Sequence, residues 1–315
     1  MKIAVLDDYQ DAAAAHGAWD SLGAEVDFVH EHLTGDDLVD RVADRDVLVC
    51  MRERTPIGRA LLDRLPALRL VVTTGMRNAS IDGAALAERG IPLCGTRAWI
   101  RSTTELTWAL ILGLVRPVLR DDRHVRSGGW QDSVGGDLAG RTLGVVGLGR
   151  QGSAVAAIAL AFGMDVQAWS ANLTAERAAE AGVTAVSKQE LFETSDIVSL
   201  HLVLSERSRG VVGEPELRAM RRDAYLVNSA RAALVDQDAL RRALTEGWIR
   251  GAALDVFDTE PLPAGHWLRS APRTLLSPHM GYVSEQGYRT FYGDAVEDIR
   301  AWADGTPIRV IKEAS

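Results

Sequence analysis

Cysteine is scarce in this chain: among 315 residues only Cys50 and Cys94 occur, each closing or ending an apolar run, and their spacing matches no metal motif. A disulfide scaffold is therefore excluded, and buried free thiols in a reducing compartment are expected. Lysine is also rare, with Lys2, Lys188 and Lys312 alone, so arginine carries nearly all the positive charge. No run of like charge is long enough to form a tail. A net charge of -8, with acids and arginines interspersed, predicts no nucleic-acid surface, although a local basic pocket stays open. No apolar run reaches the ~20 residues of a membrane span, and no basic, apolar leader precedes the first strand-like run. A cytoplasmic protein with no membrane partner is expected.

What is present is the material of a folded globule. Residues AVILMFWYC make up 47% and charged residues 25%. The length is about twice that of a typical domain, enough to bury roughly three quarters of the extended chain's surface without a staple.

Short β-rich runs at 3–6, 26–29, 47–50, 70–73 and 91–94 alternate with helical patterns, and a second series follows at 143–146, 166–169, 197–200, 225–228, 252–256 and 274–276. Such alternation implies right-handed βαβ units, hence an α/β fold of two Rossmann-like or flavodoxin-like parallel-sheet domains. Ser102-Thr103-Thr104-Glu105 reads as a capping box opening a bridging helix over 106–119, with Pro117 bending its last turn. The glycine-rich stretch 126–140 reads as a surface passage. Over 285–303 an amphipathic helix carries Ala295, Ile299 and Trp302 at helical spacing, and its placement is expected against the first sheet. The domains expected are therefore 1–98 with 286–315, and 99–285, with an active-site cleft between them.

The run 143–146 leads directly into Gly147-Leu148-Gly149-Arg150-Gln151-Gly152 and a small-residue helix. Gly147 permits the tight turn, Gly149 lets backbone N–H groups approach a pyrophosphate, and Gly152 lets helix and strand pack closely. A GxGxxG is weak alone; between a strand and a helix it predicts a dinucleotide site. At the end of the next strand, where NAD sites usually place an acid for the 2′-hydroxyl, this chain has Ser170-Ala171-Asn172. No arginine follows to grip a 2′-phosphate, so NAD and NADP both remain open, with an inclination to NADP.

Among the seven histidines, His16, His30, His32 and His124 lie in polar stretches expected to be exposed, and His266 lies in a proline-bounded loop. His201 ends a strand and could line the cofactor site. His279 follows Leu276-Ser277-Pro278 at a strand's carboxyl end, where open α/β sheets bind ligands. Arg231 and Glu260 occupy matching places after the two neighbouring strands. Singly each reads as a surface charge; together they point to one rim.

These motifs resemble the D-isomer-specific 2-hydroxyacid dehydrogenase family, which includes phosphoglycerate, lactate and formate dehydrogenases and glyoxylate/hydroxypyruvate reductases. The likeness rests on Thr74-Gly75 with Asn78 and Ile81-Asp82, Gly129-Trp130, Asp137-Leu138-Ala139-Gly140-Arg141-Thr142-Leu143-Gly144 and the glycine loop. It continues through His201-Leu202, Val227-Asn228-Ser229-Ala230-Arg231, Leu254-Asp255-Val256-Phe257, Thr259-Glu260-Pro261-Leu262 and Ser277-Pro278-His279-Met280-Gly281. The resemblance implies an NAD(P)-dependent oxidoreductase acting between a nicotinamide and C2 of a small 2-oxo or 2-hydroxy acid. His279 would be the acid/base, Glu260 would orient it and favour its charged form, and Arg231 would grip the substrate carboxylate. Asp255 would lie beside the carboxamide, with Gly147, Gly149, Arg150, Gln151, Gly152, Ser170, His201, Leu202, Ala230 and Gly281 lining the cofactor. Arg52, Gly75 and Met76 would help bind substrate. No metal is implied, and a homodimer formed through the nucleotide domains and the long helix is.

The departures are Gln151 where an apolar residue is usual, Val203 where proline is common, and Ser170 in place of the ribose acid. Two alternatives stand beside the reductase. Arg52, Arg54 and Arg77 could serve 3-phosphoglycerate, although a chain ending at Ser315 is expected to sit with the shorter reductases. A non-catalytic, dinucleotide-sensing corepressor-like protein is the other.

Overall fold

Runs of Val, Leu, Ile and Ala that are apolar at every position, rather than at every second one, suit strands covered on both faces. The computed structural model describes residues 1–312 and shows two such sheets, of five and seven strands, with every strand pairing parallel. The chain divides into two units, one of Met1–Trp99 with the segment from Val283 onward, the other of Ile100–Tyr282.

In the first unit the strands are β1 (Lys2–Val5), β2 (Glu25–Phe28), β3 (Val47–Cys50), β4 (Leu70–Thr73) and β5 (Leu93–Gly95). Their order is β2-β1-β3-β4-β5. One core, around Ala4, Leu48, Cys50, Val71 and Leu86, packs on one side. The helix Glu285–Ala303 packs on β4 and β5, burying Tyr292, Ala295 and Ile299 completely. Its start is fixed by Ser284, whose hydroxyl accepts from the Gly287 N–H at 3.1 Å. Beyond that helix the chain returns to β5, where the Gly95 N–H donates to Arg309 O and the Ile311 N–H to Leu93 O.

The second unit holds β6 (Thr142–Val146), β7 (Asp165–Trp169), β8 (Thr184–Ala185), β9 (Ile197–Leu200), β10 (Tyr225–Asn228), β11 (Gly251–Leu254) and β12 (Thr274–Leu276). The order is β12-β11-β10-β9-β6-β7-β8. Strand period sorts neighbours to opposite cores: Val145, Tyr225, Val227 and Ala253 join one cluster, while Val146, Leu226, Ala252 and Leu254 join the other. Because the order reverses at β6, the ends of β6 and β9 flank the sheet's switch point, where such sheets bind ligands.

Three expectations change here. The second sheet has seven strands rather than six, because two-residue β8 is too short to show a period. The bridging helix starts at Ile100, so Ser102–Glu105 lie inside it and form no cap. Pro117 ends that helix at Val115 rather than bending it, and Val118 and Leu119, expected as its last residues, open a separate helix, Val118–Arg126.

Candidate active site and dinucleotide cradle

The glycine loop meets its mechanical demands. Gly147 has φ 102°, in the left-handed region glycine favours, and a Cβ there would come 2.9 Å from the His201 carbonyl carbon. At Gly152 a Cβ would lie 2.0 Å from Gly147 O, so only hydrogen fits between helix and loop. A Cβ on Gly149, by contrast, would meet nothing within 4 Å, which leaves its backbone open to an approaching group. The twelve-residue helix Arg150–Ala161 begins there with no acid in its first turn, so its positive end is not neutralised locally. Open backbone, close packing behind it and a helix N-terminus fit the pyrophosphate of a dinucleotide.

At the end of β7, Ser170 is half-buried while Ala171 and Asn172 are exposed. Lys188, which the sequence pattern does not single out, brings its Nζ within 5.8 Å of the Trp169 ring centroid and pairs with Glu216 at 2.7 Å. His201 closes β9, its N–H donating to Val146 O and its Nε2 2.9 Å from Ser199 Oγ. Burial lowers its imidazole from the ordinary 6.5 to about 4, so it is neutral at pH 7. Of the histidines expected to be exposed, His16, His32 and His124 are half-buried, and His32 Nδ1 lies 3.1 Å from the buried Asp7 carboxylate.

After β10 the chain turns on Asn228, whose Oδ1 accepts from the Ala230 N–H and whose Nδ2 donates to Arg231 O, each at 3.0 Å. Arg231 is half-buried, and its Nη1 donates to Ala230 O. After β11, Asp255 is fully buried and accepts from the Met280 N–H at 2.7 Å and the Gly281 N–H at 2.9 Å. Burial pushes its carboxyl above the ordinary range, against the pull of those hydrogen bonds and of Ser277 and His279.

His279, after β12, takes φ 56°. Its Nδ1 lies 2.6 Å from Glu260 Oε2, while Glu260 Oε1 accepts from the Phe257 N–H at 2.9 Å. Burial alone would raise the Glu260 carboxyl; its hydrogen bond to His279 and that imidazole's charge outweigh it, and the Phe257 N–H and Arg231 help hold it below its ordinary value. Tyr282, absent from the sequence-derived candidates, packs edge-on against the imidazole at 5.3 Å. Also unanticipated are Thr103, which donates to Gly281 O at 2.8 Å, and Thr107, 2.7 Å from Ser229 Oγ. Thr103 and Thr107, four residues apart and so on one helix face, were the signal available in the sequence.

The first unit brings together the remaining candidates. The Arg52 N–H donates to Thr74 Oγ1 and its Nη1 to Thr74 O, and a Cβ on Gly75 would come 2.0 Å from that Nη1. Glycine at 75, with φ 89°, is thus what admits the guanidinium. The Gly75 N–H itself donates to Thr96 Oγ1 at 2.8 Å, which commits it within the fold. Met76 is exposed. Arg54 stacks 4.4 Å from the Tyr9 ring centroid and donates to Asp7 O.

Residues 108–281 match the family described as D-isomer specific 2-hydroxyacid dehydrogenase, NAD binding domain. A glyoxylate reductase of Korarchaeum cryptofilum is 39% identical over 256 residues, covering 79% of this chain and 77% of that protein. A glyoxylate reductase of Aeropyrum pernix is 38% identical, covering 78% and 76%. The crystal structure of a phosphoglycerate oxidoreductase from Vibrio cholerae superposes with a TM-score of 0.93 at 35% identity, over 97% of this chain and all of that one.

Proposed function

Because this chain belongs to the D-isomer-specific 2-hydroxyacid dehydrogenase family of oxidoreductases, we propose that it interconverts a small 2-oxo acid and its D-2-hydroxy acid, with His279 as acid/base. The observation carrying this reading is the 2.6 Å contact between His279 Nδ1 and Glu260 Oε2. Glu260 accepts a hydrogen bond from Nδ1–H, which leaves Nε2 to give a proton to the carbonyl oxygen in reduction and to take it back in oxidation. A nicotinamide held beside these residues would supply or accept the hydride at C2. As C2 receives it, negative charge grows on the carbonyl oxygen, and a cationic donor aimed there lowers the barrier. Arg231 holds the substrate carboxylate through its planar fork.

Domain roles belong to the same proposal: the unit built on β6–β12 takes the dinucleotide, and in the β1–β5 unit Arg52 and Met76 are the substrate-binding candidates, the Gly75 N–H being taken by Thr96. Ser170, neutral where an acid would repel a 2′-phosphate, supports NADPH as well as NADH. Val118, Leu119, Val125, Trp130 and Val134 are exposed on and after the Val118 helix, which supports a homodimer formed there.

Oxidation of NADH and of NADPH with glyoxylate, hydroxypyruvate, pyruvate and 3-phosphohydroxypyruvate tests the reading. Turnover of at least one acid is expected. Tight dinucleotide binding with no turnover of any of them would replace the enzyme with a sensor. A monomer in sedimentation would remove the dimer.

A further inference from the structure

Gln151 stands at the second position of the helix Arg150–Ala161, beside the backbone that would face a pyrophosphate. Its amide turns away from that face toward the first turn of the helix Ile100–Val115. With the amide oriented so that both ends are satisfied, its oxygen accepts from the Thr104 N–H at 2.7 Å and from Thr104 Oγ1 at 2.8 Å, and its nitrogen donates to Ile100 O at 3.2 Å. Thr104 is buried, so the contact is shielded from competing water.

That same stretch of the Ile100 helix holds two other ligand-facing loops. Thr103 donates to Gly281 O, two residues after His279, and Thr107 meets Ser229 Oγ, two residues before Arg231. Thr103, Thr104 and Thr107 thus brace the loops after β12, β6 and β10 against one helix. The Arg150 helix has a second contact of a different kind. Gly152 presses it onto the turn at Gly147, and the fully buried Val155, Ala156 and Ala159 set the rotation of the helix body, but the first turn has no buried side chain ahead of Gly152. The bonds from Gln151 to the Ile100 helix add a directional restraint at that first turn, and an apolar side chain there fills space without setting a direction.

We propose that Gln151 is a positioning residue: by bonding Thr104 and Ile100 it fixes the rotation of the first turn of the dinucleotide helix, and so the aim of the backbone N–H groups at a pyrophosphate. The inference rests on the dinucleotide-binding reading above and adds to it a residue that acts through a partner helix rather than by touching the ligand.

The test is a double-mutant cycle of Gln151→Met and Thr104→Val in the full chain, read by calorimetric titration with ADP-ribose, which carries the pyrophosphate, and with adenosine, which does not. ADP-ribose affinity is expected to fall roughly five- to tenfold in Gln151→Met, less in Thr104→Val, which leaves the backbone partners at 104 and 100 in place, and no further in the double variant than in Gln151→Met, with adenosine affinity unchanged and Thr104→Ser close to wild type. A merely structural role would lower thermal stability and weaken both ligands alike, and that result overturns the proposal. So does wild-type ADP-ribose affinity in Gln151→Met, the variant that carries the test alone should Thr104→Val not fold. Failure of wild-type chain to bind any dinucleotide would instead sink the functional reading itself.

Discussion

His279 occupies a backbone conformation that side chains with a Cβ rarely adopt, at a cost of order 1–3 kcal/mol. Asp255 holds that turn in place by accepting the next two backbone N–H groups, so the imidazole is set by a buried carboxylate as well as by Glu260. His279→Ala is expected to lose most turnover while NADH still binds, as fluorescence titration would show; retained turnover would remove the acid/base role. Arg231→Ala should chiefly raise the KM for the 2-oxo acid. His201 offers a pH prediction. Its folded value, about 4, lies below the ordinary 6.5, so the unfolded chain takes up the proton first as pH falls. The neutral ring costs nothing above pH 6.5, and the destabilisation grows below it, reaching roughly 2 kcal/mol by pH 5. In urea titrations His201→Gln should therefore gain on wild type between pH 7.5 and 5; curves that stay parallel would contradict this.

At the scale of elements, what a pattern of residues can disclose is local. Continuous apolar runs place β3, β4, β9, β10 and β12 to the residue, and Gly147, Gly149 and Gly152 mark the tight turn between β6 and the Arg150 helix. The Ile100 helix departs from its sequence pattern at both ends. Its hydroxyls look like caps in sequence, yet Thr103 and Thr107 bond to Gly281 and Ser229, partners more than a hundred residues away that no window contains. The commitment of the Gly75 N–H to Thr96, 21 residues on, also lies outside any local pattern. Gly152 gives the sharpest test of the cradle. In Gly152→Ala the added methyl meets Gly147 O, a backbone atom that cannot step aside, so the helix must move. A loss of about 1–3 kcal/mol in stability is expected, together with dinucleotide binding too weak to titrate. Wild-type affinity in that variant would mean that the loop is not the phosphate site.

For the whole molecule, the two sheets share one architecture and differ in sulfur. Cys50 lies in β3 and Cys94 in β5, both fully buried, and burial pushes both thiols up, Cys94 to about 12. Ile100–Tyr282 contains no cysteine at all. A chromogenic disulfide reagent should accordingly leave the native protein colourless, and prompt development of colour in native buffer would contradict the burial. Every sulfhydryl released during denaturation then keeps time for the β1–β5 half alone. Circular dichroism follows both halves together, so a lag or a lead between the two signals would say which half lets go first, without a single introduced label.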